Sequence, residues 1–481
     1  MANLYAISHN RKFELFVGCF YCSASLLCLF TEDFILIFIA LELMMVCATF
    51  LIFYGQYASS MTAAKQYFLT HLISGGLILI GISYIITHNA DGHIMLLTPL
   101  IERHDSGFIF YTLVACGCLI NVGIVPFNGW IVNCYPSAST SGMLYLTSFT
   151  SKVSIILLLK LFGGLEILKL AGLLMIIYGG LYACIEDNIR RLSCYLTVAQ
   201  LGFMLIAVGT SSDSIRLGLV VFLFVHIIYK TLFNLYLAIL IDKEKVENCS
   251  AITAICSIRN PLLFIALLLS VALVISLPPL ASYTTKTAIT NSLDQNNINY
   301  YSIILLKIIS CAAIFSMVRY KAMISDFYPD LNIYSKLSLF VMVGITFIIS
   351  FFLEKFILLN WPSYPTHLLD TDWADMGQQG VLILTGLFLS LALSKTITRR
   401  STVNVNLDLF RLIKNNILYL HFKYKYSLVQ QDFSDIKGSY NLLGLIERQV
   451  VQNVRTWHNQ SAALFIVLML ISILTLLLIW S

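Results

Sequence analysis

An apolar run over residues 261–276 is followed by Leu277-Pro278-Pro279-Leu280-Ala281-Ser282-Tyr283-Thr284-Thr285-Lys286 and then by a helix-compatible segment over 287–293. The stretch reads as one membrane crossing that breaks in its middle. Two adjacent prolines remove two N–H donors and force the preceding residue out of helical geometry. A lysine follows at the depth where the break leaves backbone groups unsatisfied. Lipid does not tolerate such a place, so it must face protein or a hydrated cavity. Broken helices that carry a charge at mid-membrane are how transporters build ion sites.

The rest of the chain agrees with that solvent. Apolar residues make up 58% of the 481 and charged residues 11%, with a mean hydropathy of +0.84. A water-soluble domain carries roughly 25% charged residues. The excess of five positive charges lies in loops and a tail, without a basic patch interleaved with aromatics, so it carries no nucleic-acid signature. The apolar run from Phe13 to Phe30 has the length of a span rather than of a cleaved leader.

Twelve cysteines do not alter this reading. Cys19/Cys22 and Cys116/Cys118 are close pairs inside apolar runs, without the four ligands of a structural metal or the βαβ setting of a redox motif. They read as small packing residues. Neither a G-x-G-x-x-G after a strand nor a G-x-x-x-x-G-K-[ST] motif is present, so no nucleotide, metal or other cofactor is expected on this chain.

Apolar runs of about twenty residues place spans near 14–31, 34–54, 67–87, 108–131, 142–163, 169–185, 193–210, 217–241, 260–293 (broken), 301–318, 336–358, 378–395 and 462–480. The fold class is therefore all-α, a polytopic membrane protein of about 13 crossings, two of them broken, near Pro126 and at Pro278/Pro279. Three parts are expected: a transmembrane domain over 1–395, an amphipathic segment over 396–460 lying along the membrane or a partner, and a last span within 461–481. Arg11, Lys12, Lys65, Arg190, Arg191, Lys243, Lys245, Arg259, Arg319 and Lys321 fall in loops on one side, and Glu32, Asp33, Arg103, Arg216, Asp294, Asp370, Asp372 and Asp375 on the other. This asymmetry puts the N-terminus in the cytoplasm, or in the matrix of a mitochondrion.

Ionisable residues inside the spans are few, and each is costly enough to be a functional candidate. They are Glu42, Lys152, His226, Lys230 and Lys286, with Lys65 and His71 as weaker members. His226 and Lys230 are four residues apart and project from one helix face. A buried lysine's charge is poorly solvated, so its protonation answers to a neighbouring charge. A row of such groups, bridged by water, is a relay. The competing readings are structural: Glu42 as a hydrogen-bonded polar residue, Lys152 snorkelling to an interface, and His226 with Lys230 as hydrogen-bonding partners.

These residues occur in an order that resembles a known family. The order runs Ala40-Leu41-Glu42-Leu43; Val125-Pro126-Phe127-Asn128-Gly129-Trp130 leading to Tyr135-Pro136 and Lys152; Asn188-Ile189-Arg190-Arg191; His226-xxx-Lys230-Thr231-Leu232-Phe233; and Leu277-Pro278-Pro279-Leu280 with Lys286. It is similar to the antiporter-like membrane subunits shared by respiratory complex I and the Mrp-type multisubunit cation/proton antiporters, over about residues 14–320. Tyr135-Pro136 with Thr150-Ser151-Lys152-Val153 looks most like the Mrp D-type subunit; Glu42-Leu43 with Gln66-Tyr67-Phe68-Leu69 also fits the N-type (chain 2) subunit of complex I.

The resemblance implies two inverted five-helix units within a fourteen-helix fold and a proton path along a central hydrophilic axis. It implies partners that are other membrane subunits of a multisubunit complex in the lipid bilayer. The transported species would be protons, with Na+ in the antiporter reading. The setting would be a bacterial cytoplasmic membrane or the mitochondrial inner membrane. The chain would at most be a non-catalytic pumping subunit of an NADH:quinone oxidoreductase, since no nucleophile–base set appears.

Three departures stand out. Counting back from Glu42, the family's first three helices are absent from the expected order. Asn121 stands where the family has a lysine partner for Glu42, and Gln66 where many members have a lysine. The alternative is a structural or assembly subunit that has partly lost transport.

Overall fold

A computed structural model describes residues 2–397, apart from 10, 56, 89–94, 103–106, 211, 245–246, 250–255, 258–259, 293–297, 319–323, 326–331 and 362–372. The chain separates into two units, 1–408 and 409–481. The amphipathic segment over 396–460 and the last span within 461–481 lie outside the described residues, save for the first two positions.

The first unit is helical. A short α1 (Ala2–Ser8) precedes α2 (Lys12–Phe30), α3 (Phe34–Phe53) and α4 (Ser60–His88); after α5 (Thr98–Glu102) come α6 (Phe108–Val122), α7 (Thr140–Leu146) and α8 (Thr150–Phe162). Then follow α9 (Ile167–Ile185), α10 (Ile189–Thr210), α11 (Asp213–Glu244), α12 (Pro261–Val274), α13 (Ala281–Asn291), α14 (Ile298–Val318), α15 (Ile333–Asn360) and α16 (Trp373–Ile397). Among the described residues, eight helices are long and apolar enough to cross a membrane. Each span expected between 14 and 395 has a helix or a broken helix over it. The non-helical pairing described is two residues long, Cys256–Ser257 beside Ile324–Ser325.

Apolar side chains on the outer faces of α2, α9, α15 and α16 are exposed, as for Phe30, Leu181, Phe352 and Phe388, which suits a lipid-facing surface. By contrast, α10 is buried over its length. It lies against α9 at a close approach made by small residues: the Gly202 carbonyl oxygen would be 2.4 Å from a Cβ placed on Gly172. Without a hydrophobic force between helices in lipid, such close packing is what holds them together.

The two breaks share one local plan. α6 ends at Gly123 in the left-handed region (φ 86°), and α12 runs on to Ser276, also left-handed (φ 58°). The amide of Ile124 donates to Leu119 O (3.1 Å) and that of Gly123 to Ile120 O (3.0 Å), while Leu277 donates to Ala272 O (2.8 Å) and Ser276 to Leu273 O (3.2 Å). This is the closing pattern of a helix end. A proline, Pro126 or Pro279, follows three residues after each left-handed residue. In both cases the next amide, Phe127 or Leu280, turns back to the carbonyl of Ile124 or Leu277. Equal construction at two places is what a duplicated unit produces.

The break expected near Pro126 is present, and the crossing that follows it differs from the sequence expectation. The helix near 108–131 stops at Val122 and resumes as a π turn at Trp130–Cys134 and a 3-10 turn at Tyr135–Ser137. The span near 142–163 is kinked between α7 and α8. There the Thr147 hydroxyl donates back to Met143 O (2.8 Å) and that of Ser148 to Leu144 O (2.7 Å). Hydroxyls that bond the preceding turn in this way compete with the helix ladder and bend it.

Buried charges fasten the segment that leads into α7 to its surroundings. Arg190, 1% exposed, donates to the carbonyls of Ala138 (2.6 Å) and Ser139 (3.1 Å) and pairs with Glu247 at 3.5 Å. Glu14 on α2, also buried, accepts from Arg11 (2.9 Å) and from the hydroxyls of Ser139 and Ser141. Neither role was visible from charge patterning, because both residues sit near span ends where charges are ordinary.

At the start of the chain His9 pairs with Asp242 at the end of α11 (3.0 Å) and donates from Nδ1 to Tyr5 O (3.0 Å). The hydrogen bond to Asp242 raises the His9 pKa above its ordinary value, against partial burial and the Arg11 charge. A raised histidine contributes stability that is present below its unfolded value, about 6.5, and is lost as pH rises through the folded value. Intrinsically corrected amide protection of α1 is therefore expected to fall as pH rises above about 6.5, and His9→Gln to remove that dependence. Protection independent of pH in the unaltered chain would contradict the tether.

Candidate functional site

The sequence-selected residues of the second half converge on one face of α11. Phe222, His226, Lys230 and Asn234 recur every four residues, so they form a slowly winding stripe along the helix. Lys152, Lys230, Lys286 and His226 are 2%, 0%, 1% and 0% exposed. None of the three lysines has a carboxylate of a described residue within ion-pair distance.

Each ammonium is instead held by a neutral oxygen. Lys152 Nζ donates to the carbonyl of Thr147 (2.5 Å), which the kink between α7 and α8 leaves open. Lys230 Nζ donates to Ser193 O on α10 (2.7 Å). Lys286 Nζ donates to the Ser276 hydroxyl (2.7 Å), at the left-handed residue of the second break. Ser276 in turn lies 3.3 Å from the Ser282 hydroxyl. The break is held from the other side by Gln379 of α16, whose Nε2 donates to Ile275 O (3.0 Å).

Asn234, which sequence reasoning missed, joins the first two lysine sites. Its Oδ1 accepts from the Ser193 hydroxyl (2.6 Å) and its Nδ2 donates to Thr147 Oγ1 (3.0 Å). Thr147 and Ser193 are the residues whose carbonyls hold Lys152 and Lys230. The available signal was the spacing, since Asn234 continues the four-residue interval of His226 and Lys230.

His226 lies between Lys230 and Lys286. Its Nε2 donates to Gln200 Oε1 (2.7 Å), which leaves Nδ1 as a buried acceptor without a protein partner. The Lys286 ammonium stands 5.6 Å from the Phe222 ring centroid, one turn of α11 from His226. Buried polar atoms without protein partners mark where water is needed. The arrangement thus has donors, acceptors and hydration sites in sequence from Thr147 to Ser276.

The first half is built differently. Glu42 on α3 lies against Gly75 of α4, where a Cβ would come within 2.0 Å of its Oε1. Among the described residues it has no ion pair. One turn earlier on α4, His71 Nδ1 donates to Asn121 Oδ1 (2.8 Å), and the ring is enclosed by Tyr67 (4.2 Å) and Trp130 (4.6 Å). An imidazole–amide pair thus lies beside Trp130 in this half, with His71 Nε2 buried and without a protein partner. Lys65 and Gln66 lie in the opening turns of α4.

Residues 31–316 match the NADH:quinone oxidoreductase/Mrp antiporter transmembrane family, more than half of the chain. The chain belongs to that family. The matched range holds every sequence-selected site residue from Glu42 to Lys286. A relative named NADH-quinone oxidoreductase subunit N from Desulforamulus reducens is 24% identical over 281 residues, covering 55% of this chain and 58% of the relative. Another of that name from Leptospira interrogans is 29% identical over 214 residues, covering 41% of each. The chain therefore spans about half the length of these relatives.

Solved structures share the fold. A chain of the Mrp complex from a Dietzia species gives a TM-score of 0.59 at 15% identity, covering 79% of this chain and 78% of that one. A chain of respiratory complex I from Thermus thermophilus gives 0.60 at 16%, covering 72% and 79%. The Asn121 departure seen in the sequence corresponds in space to the His71–Asn121 pair.

Asn234→Leu would leave Ser193 and Thr147 without their shared partner. A loss of about 1–3 kcal/mol in unfolding free energy of the detergent-solubilised chain is expected, read as a lowered thermal midpoint. An unchanged midpoint would show that Asn234 does not join the two sites.

Proposed function

We propose that this chain is a proton-translocating or cation/proton-translocating membrane subunit of a multisubunit complex, of the complex I or Mrp kind. The observation that carries the reading is the row Lys152, Lys230, His226 and Lys286, buried, without a carboxylate partner among the described residues and gathered along one face of α11. Three ammonium charges buried along one row, with no carboxylate of a described residue beside them, are too costly to coexist, so protonation of one bears on the next. A proton entering at one end thereby displaces one at the other.

In this role the chain carries no cofactor. Redox chemistry, in the complex I case, belongs to neighbouring subunits that oxidise NADH and reduce quinone; in the Mrp case the exchanged ion is Na+. The N-terminus faces the cytoplasm or matrix, since the basic loops gather on its side. The membrane is a bacterial cytoplasmic membrane or a mitochondrial inner membrane.

The His71–Asn121 pair favours a second reading for the first half alone. With no lysine opposite it, Glu42 has lost the partner that the family provides, and this half serves assembly while the second half conducts.

Inside-out vesicles of the native membrane, energised by NADH or by a Na+ gradient and followed by acridine-dye quenching, test the proposal. Lys286→Ala is expected to abolish proton uptake with the complex still assembled on a native gel; unchanged uptake would overturn the transport reading. Asn121→Lys separates the two views of the first half. A raised rate would show that it conducts, and an unchanged rate that it serves assembly.

A further inference from the structure

The geometry points to Lys307 as a further proton-carrying residue, placed beyond Lys286 and leading with Tyr283, Gln379 and Asp375 toward the end of the fold where α16 begins. The inference rests on the transport reading and extends the row into α14 and α16, which neither the sequence pattern nor the family motifs reach.

Lys307 lies in α14 and is 9% exposed, with its Nζ 5.8 Å from the ring centroid of Tyr283. Tyr283 stands three residues before Lys286 on α13, so the two lysines meet the same short helix. No carboxylate of a described residue is within ion-pair distance of Lys307.

Polar atoms from all three helices come to this place without protein partners. Tyr283 Oη, Ser310 Oγ and Gln379 Oε1 are each buried and unpaired. Ser310 is three residues from Lys307 on α14, and Gln379 is four residues from Asp375 on α16, so each pair shares a helix face. α14 and α16 lie close and level, since the Cys311 Cβ would be 2.5 Å from a Cβ on Gly386. Unpaired buried polar atoms on each of the three helices are groups that water would satisfy, which an apolar seam would not hold.

The duplicated breaks supply an independent argument. Lys152 follows Pro126 by 26 residues and Lys307 follows Pro279 by 28, each on the span after its break. The kink between α7 and α8 has no counterpart within α14, so an offset of two residues is unsurprising. Lys307 thus holds in the second unit the place that Lys152 holds in the first. A purely structural lysine, stacked on Tyr283 for packing, is the competing account.

The test is proton uptake by the assembled complex in inside-out native vesicles, with Lys286→Ala, Lys307→Met and Lys307→His measured side by side. Lys307→Met keeps the length and apolar stem and is expected to lower uptake by about tenfold or more. Lys307→His is expected to restore a substantial part of it, with a rate that follows imidazole protonation as pH is changed. Loss in Lys286→Ala with full uptake in Lys307→Met would overturn the role of Lys307 alone; full uptake in both would overturn the transport reading. Where Lys307→Met fails to assemble, the pH profile of Lys307→His decides, and a profile identical to that of the unaltered complex would overturn the proposal.

Discussion

A helix that breaks inside a membrane exposes carbonyls and amides that lipid cannot bond. The architecture here follows from how that demand is met. At the first break, the Trp130 indole N–H bonds the Ile120 carbonyl, and further on Arg190 and Glu14 hold the 138–141 segment. At the second, Gln379 bonds Ile275 and Lys286 bonds Ser276. At the kink before α8, Lys152 takes the open carbonyl of Thr147. The three lysines meet three kinds of oxygen: Lys152 a carbonyl left open at the kink, Lys286 a hydroxyl at the break and Lys230 a carbonyl within α10.

α11 presents one residue per turn to the row, and α10, buried along its length, supplies Ser193 and Gln200 from the opposite side. Neutral oxygens rather than carboxylates hold the ammonium groups. A fixed counterion would pin each charge in place, whereas a carbonyl or hydroxyl lets the proton leave at small cost. The first half shows the contrast, because an imidazole–amide pair replaces a lysine there and Glu42 faces a glycine.

Much of this was legible in the sequence. Pro278-Pro279 and Pro126 announced the breaks because proline acts through covalent geometry, and Lys152, His226, Lys230 and Lys286 announced themselves because charge in an apolar run is rare. The kink at 147–149 was hidden: Thr147 and Ser148 look like ordinary polar residues in a span until their hydroxyls are seen to bond the preceding turn. Asn234, Gln200 and Ser193 carry no charge and so gave no signal above their neighbours. Lys307 was read as part of an apolar span, since its meaning depends on Tyr283 and α16, which are distant in sequence. Family likeness fixed the fold and the order of motifs but could not disclose what took the place of the missing lysine at Asn121.

The central claim is a hydrated, connected row from Thr147 to Ser276. A cryo-electron microscopy map of the chain in its native complex, at a resolution that shows ordered water, tests it most directly. The account predicts water at Nδ1 of His226 and between Lys230 and Lys286. Dry apolar packing between these two lysines, with the His226 ring bonded on both nitrogens by protein, would contradict it.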